Sequence, residues 1–258
     1  VGPGGQVHSL GLALVGGTLL DGRGGPAVPD AAVVIRDGRI DCAGPRSVCP
    51  VPAGVEVVDV TGRWLTPGLV DAHVHFSQTG WADGRPDFVD VREWYPLDET
   101  VAALADHPER FLLSWLCSGV TAVFDVGGYP WTLGLDPPHF AAAPRVRATG
   151  PLLSTIDFWL GLPGEKQFLF LEDEAAAAAG VGYLVARGAD AVKVWLIPAP
   201  ERDADVVAAA VRAAGAAARE AAVPLVVHAT GLAQAKLAVE AGAHLLVHSV
   251  WDAPVDEE

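Results

Sequence analysis

The sequence predicts an α/β protein, namely an incomplete TIM (β/α)8 barrel of about six strand–helix units that follows part of a small β-sandwich. Residues 1–65 contain short apolar runs separated by glycine and proline, as in strands joined by tight turns. Residues 66–258 alternate apolar runs with helix-like segments, the pattern of a parallel sheet covered by helices. With 258 residues, 51% of them hydrophobic, the chain can bury a large core.

The predicted sandwich part contains three strand-rich stretches: "LGLALVGGTLLDG", "AAVVIRDGRIDCAG" and "VEVVDVTGRWLTPG". The second has Asp37-Gly38 between two apolar runs, which is the strongest short signal for a β-hairpin. Three cysteines are too few and too widely spaced for a disulfide framework. Cys42 and Cys49 could pair across a loop, but free thiols are expected.

The predicted barrel begins after "LTPG" and contains six strand-like runs, which span residues 68–76, 119–128, 145–153, 190–197, 224–230 and 244–250. Most of the segments between them are helix-like: they begin with acidic residues or end at glycine or proline. Six repeats favour a barrel over an open sheet. A closed barrel needs eight strands, and the chain has no methionine at position 1. We therefore expect an N-terminal fragment of a longer enzyme.

Five nitrogen-bearing side chains fall late in these strands: His73 and His75 in the first, Lys193 in the fourth, His228 in the fifth and His248 in the sixth. Parallel barrels carry their chemistry at the carboxyl ends of the strands. Residues two apart on a strand point to the same face, so His73 and His75 can point together into the barrel mouth. Four neutral imidazoles there predict a site for a metal such as zinc.

Each of these residues also has a purely structural interpretation. His73 and His75 could be hydrogen-bonded core histidines. Lys193, among apolar neighbours, could form a salt bridge with an acid, or it could react with carbon dioxide to give a carbamate that bridges two metals. Asp125, late in the second strand, could reach the barrel mouth or cap a loop. His244 lies at the start of the sixth strand and is expected to be structural.

The order of H-x-H, lysine and two single histidines on successive strands resembles the amidohydrolase superfamily. "VGGTLLDG", "VVIRDGRI" and "TPGLVDAHVH" resemble its N-terminal sandwich and first barrel strand. "GVTAVFDVGG" and "AVEAGAHLLVHS" are most similar to its imidazolonepropionase and prolidase-like branch.

The resemblance implies two divalent metal ions, with zinc expected. His73 and His75 would hold one, His228 and His248 the other, and carbamylated Lys193 would bridge them. A metal-bridging hydroxide would hydrolyse C–N bonds of amides, cyclic amides or dipeptide-like substrates, with Lys193 and His228 as catalytic residues. The superfamily completes this site with an aspartate on the eighth strand. We therefore expect this piece alone to bind metal weakly and to be inactive.

Two other functions stay open on the sequence: a non-catalytic barrel relative that serves as a binding or assembly module, and a barrel enzyme whose Lys193 forms a Schiff base. A net charge of −15, from 32 acids and 17 bases, argues against nucleic acid and anionic membranes as partners. A small-molecule substrate is expected, and homo-oligomers are compatible with exposed strand edges. The compartment is open: the cytoplasm is slightly favoured, and export would require a removed leader.

Overall fold

The computed structural model describes residues 11–77, 94, 96–135, 140, 142–157 and 167–255. Its contacts divide the chain into two compact units, Val1–Gly68 and Leu69–Glu258. The sequence analysis placed this boundary between residues 65 and 66.

The described part of the first unit is one five-stranded sheet, composed of β1 (Leu12–Leu19), β2 (Val28–Arg36), β3 (Arg39–Pro45), β4 (Glu56–Asp59) and β5 (Trp64–Leu65). The strand order is β3-β2-β1-β4, and β5 pairs with β1. The strands β1 and β2 pair antiparallel, as do β2 and β3, whereas β4 and β5 run parallel to β1.

The predicted hairpin is present between β2 and β3. Asp37 and Gly38 both have positive φ, 50° and 71°. A two-residue turn of type I′, whose twist matches that of the two strands, requires this conformation at both positions. Above the sheet, Ala13, Val15 and Cys49 belong to a buried apolar cluster. The first unit therefore has its own core.

The expectation of free thiols at Cys42 and Cys49 is wrong, because the structure joins them in a disulfide. The turn that follows β3 brings their Cα atoms to 5.8 Å, within the range that a disulfide can bridge. Cys117 is a free, exposed thiol.

The described part of the second unit contains parallel strands and five α-helices. The strands are β6 (Leu69–Val74), β7 (Val120–Asp125), β8 (Arg145–Ala148), β9 (Leu152–Ser154), β10 (Phe168–Phe170), β11 (Val192–Trp195), β12 (Leu225–His228) and β13 (Leu245–Val247). The helices are α1 (Leu97–Asp106), α2 (Glu109–Cys117), α3 (Glu174–Ala186), α4 (Ala204–Glu220) and α5 (Leu232–Glu240). A short 3₁₀ helix spans Pro130–Gly134.

The strands form two parallel sheets, in the orders β6-β7-β8 and β10-β9-β11-β12-β13. The predicted third strand supplies both β8 and β9, because Gly150, with φ 66°, interrupts it. Asp190, just before β11, joins the sheets: its backbone N–H donates to Ala148, and its carboxylate accepts the Ala148 N–H. The described residues thus show barrel-like parallel sheets, and closure into a barrel stays a prediction.

Two helical segments illustrate how local sequence shaped this unit. The helix-like segment 97–119 forms two helices instead of one, since Pro108 has no N–H with which to continue α1. Asp173 and Asp203 are the N-cap residues of α3 and α4. Their carboxylates accept backbone N–H groups of the first turn of each helix. No helix in the described ranges is long and apolar enough to cross a membrane.

The strands of the larger sheet bury their two faces differently. On one face, Val192, Val194 and Val227 pack in one cluster with residues of α3, α4 and α5. On the other, Ala191 and Val226 pack with Val126 and Val247. Because side chains alternate along a strand, this second face also receives Lys193, which is paired in register with Val226.

Candidate metal centre

The four predicted histidines lie at or just beyond the carboxyl ends of three strands, and Lys193 lies in a fourth strand. His73 is in β6, and His75 directly follows that strand. His228 ends β12, His248 directly follows β13, and Lys193 lies within β11. Neighbouring residues are in register across β11, β12 and β13, where His228 pairs with Trp195 on one side and Val247 on the other.

The structure brings the four histidine rings together in a continuous row. The Nε2 atoms of His73 and His75 are 3.2 Å apart. The ring centroids of His73 and His248 are separated by 4.9 Å, and those of His248 and His228 by 4.5 Å. Side chains from residues 73 to 248 thus converge, as the placement of the histidines predicted.

Lys193 lies among these rings. Its side chain is only 1% exposed, and its positive charge lowers the pKa of all four histidines. Because side chains alternate along β11, Lys193 lies on the face opposite Val192 and Val194 and does not face the helices.

The histidines are held in their neutral form. Burial is the main cause, and it lowers the pKa of His73 and His75 to about 4 and that of His228 to about 3. Burial also lowers the pKa of His248. Neutral imidazoles keep one nitrogen lone pair free, which is the form that binds metals.

The two β6 histidines have fixed positions. His75 Nδ1 is 2.7 Å from the carbonyl oxygen of Gly127, and a carbonyl only accepts, so Nδ1 donates and Nε2 keeps the lone pair. The His73 backbone N–H donates to Asp71, which anchors this end of β6.

His248 has an uncommon backbone conformation, with φ 72° in the left-handed region. This region costs free energy for residues with a side chain, and such outliers concentrate at functional sites. Here it occurs at the histidine whose ring stands between His73 and His228.

Within the ranges that the structure describes, no three His, Cys, Asp or Glu side chains form a group that could hold a metal ion by themselves. The predicted arrangement assigns only two imidazoles to each metal, and the 3.2 Å between the Nε2 atoms of His73 and His75 matches such a pair. A shared ligand from Lys193 would complete both sets, as the resemblance implied.

Two neighbouring residues differ in role. His244 Nδ1 accepts the backbone N–H of Leu225, so this histidine is structural. Asp125 is fully buried at the end of β7, and burial raises its pKa to about 7. The sequence did not reveal that the carbonyl of Gly127 accepts a hydrogen bond from His75. The glycine pair Gly127-Gly128, which follows a strand, was the available signal.

No protein-family model matches the chain. Curated relatives include the imidazolonepropionase of Acidiphilium cryptum (strain JF-5), 36% identical over 129 residues, which are 42% of this chain and 30% of the relative. The imidazolonepropionase of Chromobacterium violaceum is 34% identical over 145 residues, 49% of this chain and 35% of the relative. The chain thus spans about a third of the length of the curated relatives it matches.

Solved structures share the fold over most of the chain. Molinate hydrolase has a TM-score of 0.72 at 24% identity, over 97% of this chain and 60% of that one. A prolidase complexed with N-methylphosphonate-L-proline has a TM-score of 0.71 at 23% identity, over 92% and 60%. An amidohydrolase has a TM-score of 0.69 at 20% identity, over 92% and 60%.

The two kinds of similarity are complementary. The relatives connect the sequence to imidazolonepropionases, and the solved structures connect the fold to prolidase and amidohydrolase enzymes. The predicted resemblance is confirmed: part of the chain is similar in sequence to imidazolonepropionases, and the chain shares its fold with solved structures of amidohydrolase and prolidase enzymes.

Proposed function

We propose that this chain supplies the metal-binding part of a hydrolase that cleaves C–N bonds in amides, cyclic amides or dipeptide-like small molecules. One observation carries the proposal: four neutral imidazoles converge around a buried lysine. Core histidines that served only packing would not need to gather from three separate strands around a buried lysine. Names of relatives, imidazolonepropionase and prolidase, support the choice of C–N bonds.

In this proposal His73 and His75 would hold one metal ion, and His228 with His248 would hold the second. Lys193 would supply a further shared ligand as a carbamate: its neutral Nζ would attack carbon dioxide, an N–C bond would form as one C–O π bond breaks, and one proton would leave to water. Burial favours this reaction because it disfavours the ammonium form. Bound divalent cations would supply Lewis acidity, which polarises a carbonyl group and makes hydroxide available at neutral pH.

The remaining tasks belong to the chain. Gly127 and Asp71 position the β6 histidines through hydrogen bonds to His75 and to the His73 backbone. Trp195 lies beside His228, with ring centroids 6.2 Å apart, and would exclude water from that side. The ring of Phe168 is tilted against that of Trp195, with centroids 5.3 Å apart.

Metal analysis of the purified protein tests this proposal. We expect about two weakly bound zinc ions per chain when the protein is equilibrated with saturating free zinc, as two-metal sites of hydrolases require. The variants His73→Asn and His228→Asn should each lose zinc. His107→Asn is the matched control, because His107 is an exposed histidine outside the cluster. A carbamate carbon signal after loading with ¹³C-bicarbonate, absent in Lys193→Met, would identify the bridging group.

The same measurements distinguish the alternatives. No zinc, together with borohydride trapping of a carbonyl compound on Lys193, would replace the metal hydrolase with a Schiff-base enzyme. No zinc and no trapping would leave a non-catalytic binding module. Either result overturns the proposal.

A further inference from the structure

The loop between β11 and α4 follows the strand that carries Lys193, so it begins at the carboxyl edge of the sheet. It starts directly after Trp195, whose ring centroid is 6.2 Å from that of His228. The loop contains two prolines, and Arg202 is its one basic residue. An arginine beside a predicted active site could bind an anionic substrate, or it could hold the loop itself. Its contacts distinguish the two roles.

Both terminal nitrogens of the Arg202 guanidinium group are already bound to backbone. Nη1 donates to the carbonyl oxygen of Thr155 at 2.7 Å, and Nη2 donates to that of Glu172 at 2.6 Å. The guanidinium group also lies over the ring of Phe170, 4.7 Å from its centroid. Paired donors in one plane, with a face that stacks on an aromatic ring, are properties of arginine and not of lysine. Arg202 thus connects the loop to the segments that follow β9 and β10.

Thr155 also holds the beginning of the same loop. Its hydroxyl group accepts the backbone N–H of Ile197 at 2.9 Å and donates to the carbonyl oxygen of Ile197 at 2.7 Å. Within the loop, the backbone N–H of Arg202 donates to the carbonyl oxygen of Ala199 at 3.0 Å. Residues 197 and 202 therefore contact one buried threonine, and the chain between them is closed on itself.

We propose that Arg202 is a positioning residue: it closes the β11–α4 loop on Thr155 and Glu172, and the closed loop is a fixed wall beside the metal centre. The closure does not depend on the proposed function, whereas the role of the loop as a wall of the substrate site rests on it. Because the guanidinium group is bound to backbone, it does not bind the carboxylate of a substrate. The uncharged residues 197–200 would face a substrate on this side instead.

Three variants separate this role from a general effect on folding. Arg202→Ala removes every contact of the guanidinium group, and Arg202→Lys keeps the charge without the paired donors. Arg187→Ala is the matched control. Arg187 also lies over an aromatic ring, that of Tyr183 at 3.5 Å, and it also donates to a backbone carbonyl, that of Tyr183. Its partner belongs to the helix that Arg187 itself follows, so its loss opens no loop.

The first readout is amide hydrogen exchange of Ile197, measured by NMR in metal-free protein. We expect exchange about 10- to 100-fold faster in Arg202→Ala than in the wild type, an intermediate rate in Arg202→Lys and no change in Arg187→Ala. The amide of Val211, buried within α4, should exchange at the wild-type rate in all three variants. Ethylguanidinium should restore slow exchange of Ile197 in Arg202→Ala, and ethylammonium should not.

Two results of this measurement would overturn the inference. One is an unchanged rate at Ile197 in folded Arg202→Ala. The other is an equal acceleration at Ile197 and Val211 without rescue, because Arg202 would then stabilise the whole unit and not the loop.

The second readout uses the wild type alone, so it holds even if Arg202→Ala does not fold. The guanidinium N–H signals of Arg202 should stay in place when sodium acetate replaces sodium chloride at equal ionic strength. A shift specific to acetate would identify a carboxylate-binding arginine and overturn the inference. Neither readout needs a metal. Absence of zinc binding would therefore remove the proposed function alone, and an open loop in a zinc-binding wild type would remove this inference alone.

Discussion

At the residue scale, the main feature of the site is the free-energy cost of burying ionisable side chains that contain nitrogen. Lys193 is 1% exposed, and His75 is half-buried beside it. A charged imidazole there would lose part of its hydration and would also be repelled by the lysine charge. The protein keeps the imidazoles neutral by burial and by the nearby lysine charge. Folding therefore holds these rings in the form that binds a metal, before any metal is present.

This neutrality predicts a loss of stability in acid. The pKa of His228 is about 3 in the folded protein and about 6.5 in an unfolded chain, so the unfolded state binds more protons between these values. The stabilising contribution of neutral His228 is complete above about pH 6.5 and falls as the pH approaches 3. In metal-free protein, His228→Gln should thus lose less stability than the wild type between about pH 7.5 and pH 5.

Urea unfolding at the two pH values measures this difference. Asp125, whose pKa is raised to about 7, acts in the opposite direction, but it is present in both proteins and drops out of the comparison. His107→Gln, at an exposed position, should follow the wild type. Equal losses in the wild type and His228→Gln would contradict the prediction.

At the scale of elements, β6 differs from the expected buried strand. Leu69 and Val70 are 61% and 69% exposed. In the described part of the chain β6 is an edge strand that pairs only with β7. The side chains of Leu69 and Val70 are therefore not covered by a second neighbouring strand. Alternating apolar residues indicated a strand here, but they could not indicate how many neighbours it would have.

The contact between α4 and the end of α5 depends on one glycine. A methyl group at Gly215 would overlap the carbonyl oxygen of Ala241, which directly follows α5, and backbone cannot move aside easily. Gly215→Ala should therefore destabilise the protein by about 1–3 kcal/mol, as overpacking of cores does, despite the better helix propensity of alanine.

Gly182 provides the matched control within α3. Nothing lies within 4 Å of a Cβ atom at this position, so Gly182→Ala should stabilise the helix by about 0.5–1 kcal/mol. Urea or thermal unfolding of the two variants checks the pair. Equal effects of the same sign would show that propensity, and not the α4–α5 approach, decides the outcome.

At the scale of the whole molecule, exposed strand surface and net charge oppose each other. The uncovered β6 strand favours association with another strand edge, whereas a net charge of −15 keeps chains apart. We therefore expect self-association that increases with salt, as screening weakens the repulsion.

Sedimentation velocity over a range of salt concentrations measures this. Val70→Lys should reduce association, because an edge lysine disfavours strand pairing. Val239→Lys is the comparison, since Val239 is 60% exposed but lies on helix α5. Similar behaviour of both variants would mean that charge alone, and not the β6 edge, controls association.

The sequence by itself determined the parallel strand–helix pattern, the Asp37-Gly38 hairpin and the convergence of His73, Lys193 and His228. These features follow from local periodicity, because alternation along a strand and the strand's direction decide the end at which a residue lies.

Only the tertiary structure decided the Cys42–Cys49 disulfide, the break at Gly150 and the hydrogen bond from His75 Nδ1 to the carbonyl of Gly127. The physical reason is the same for the disulfide and for that hydrogen bond. A hydrogen bond or a covalent bond between segments depends on distances of a few tenths of an ångström, which strand register and turn geometry set. A pattern of residue types along the chain contains no such distances.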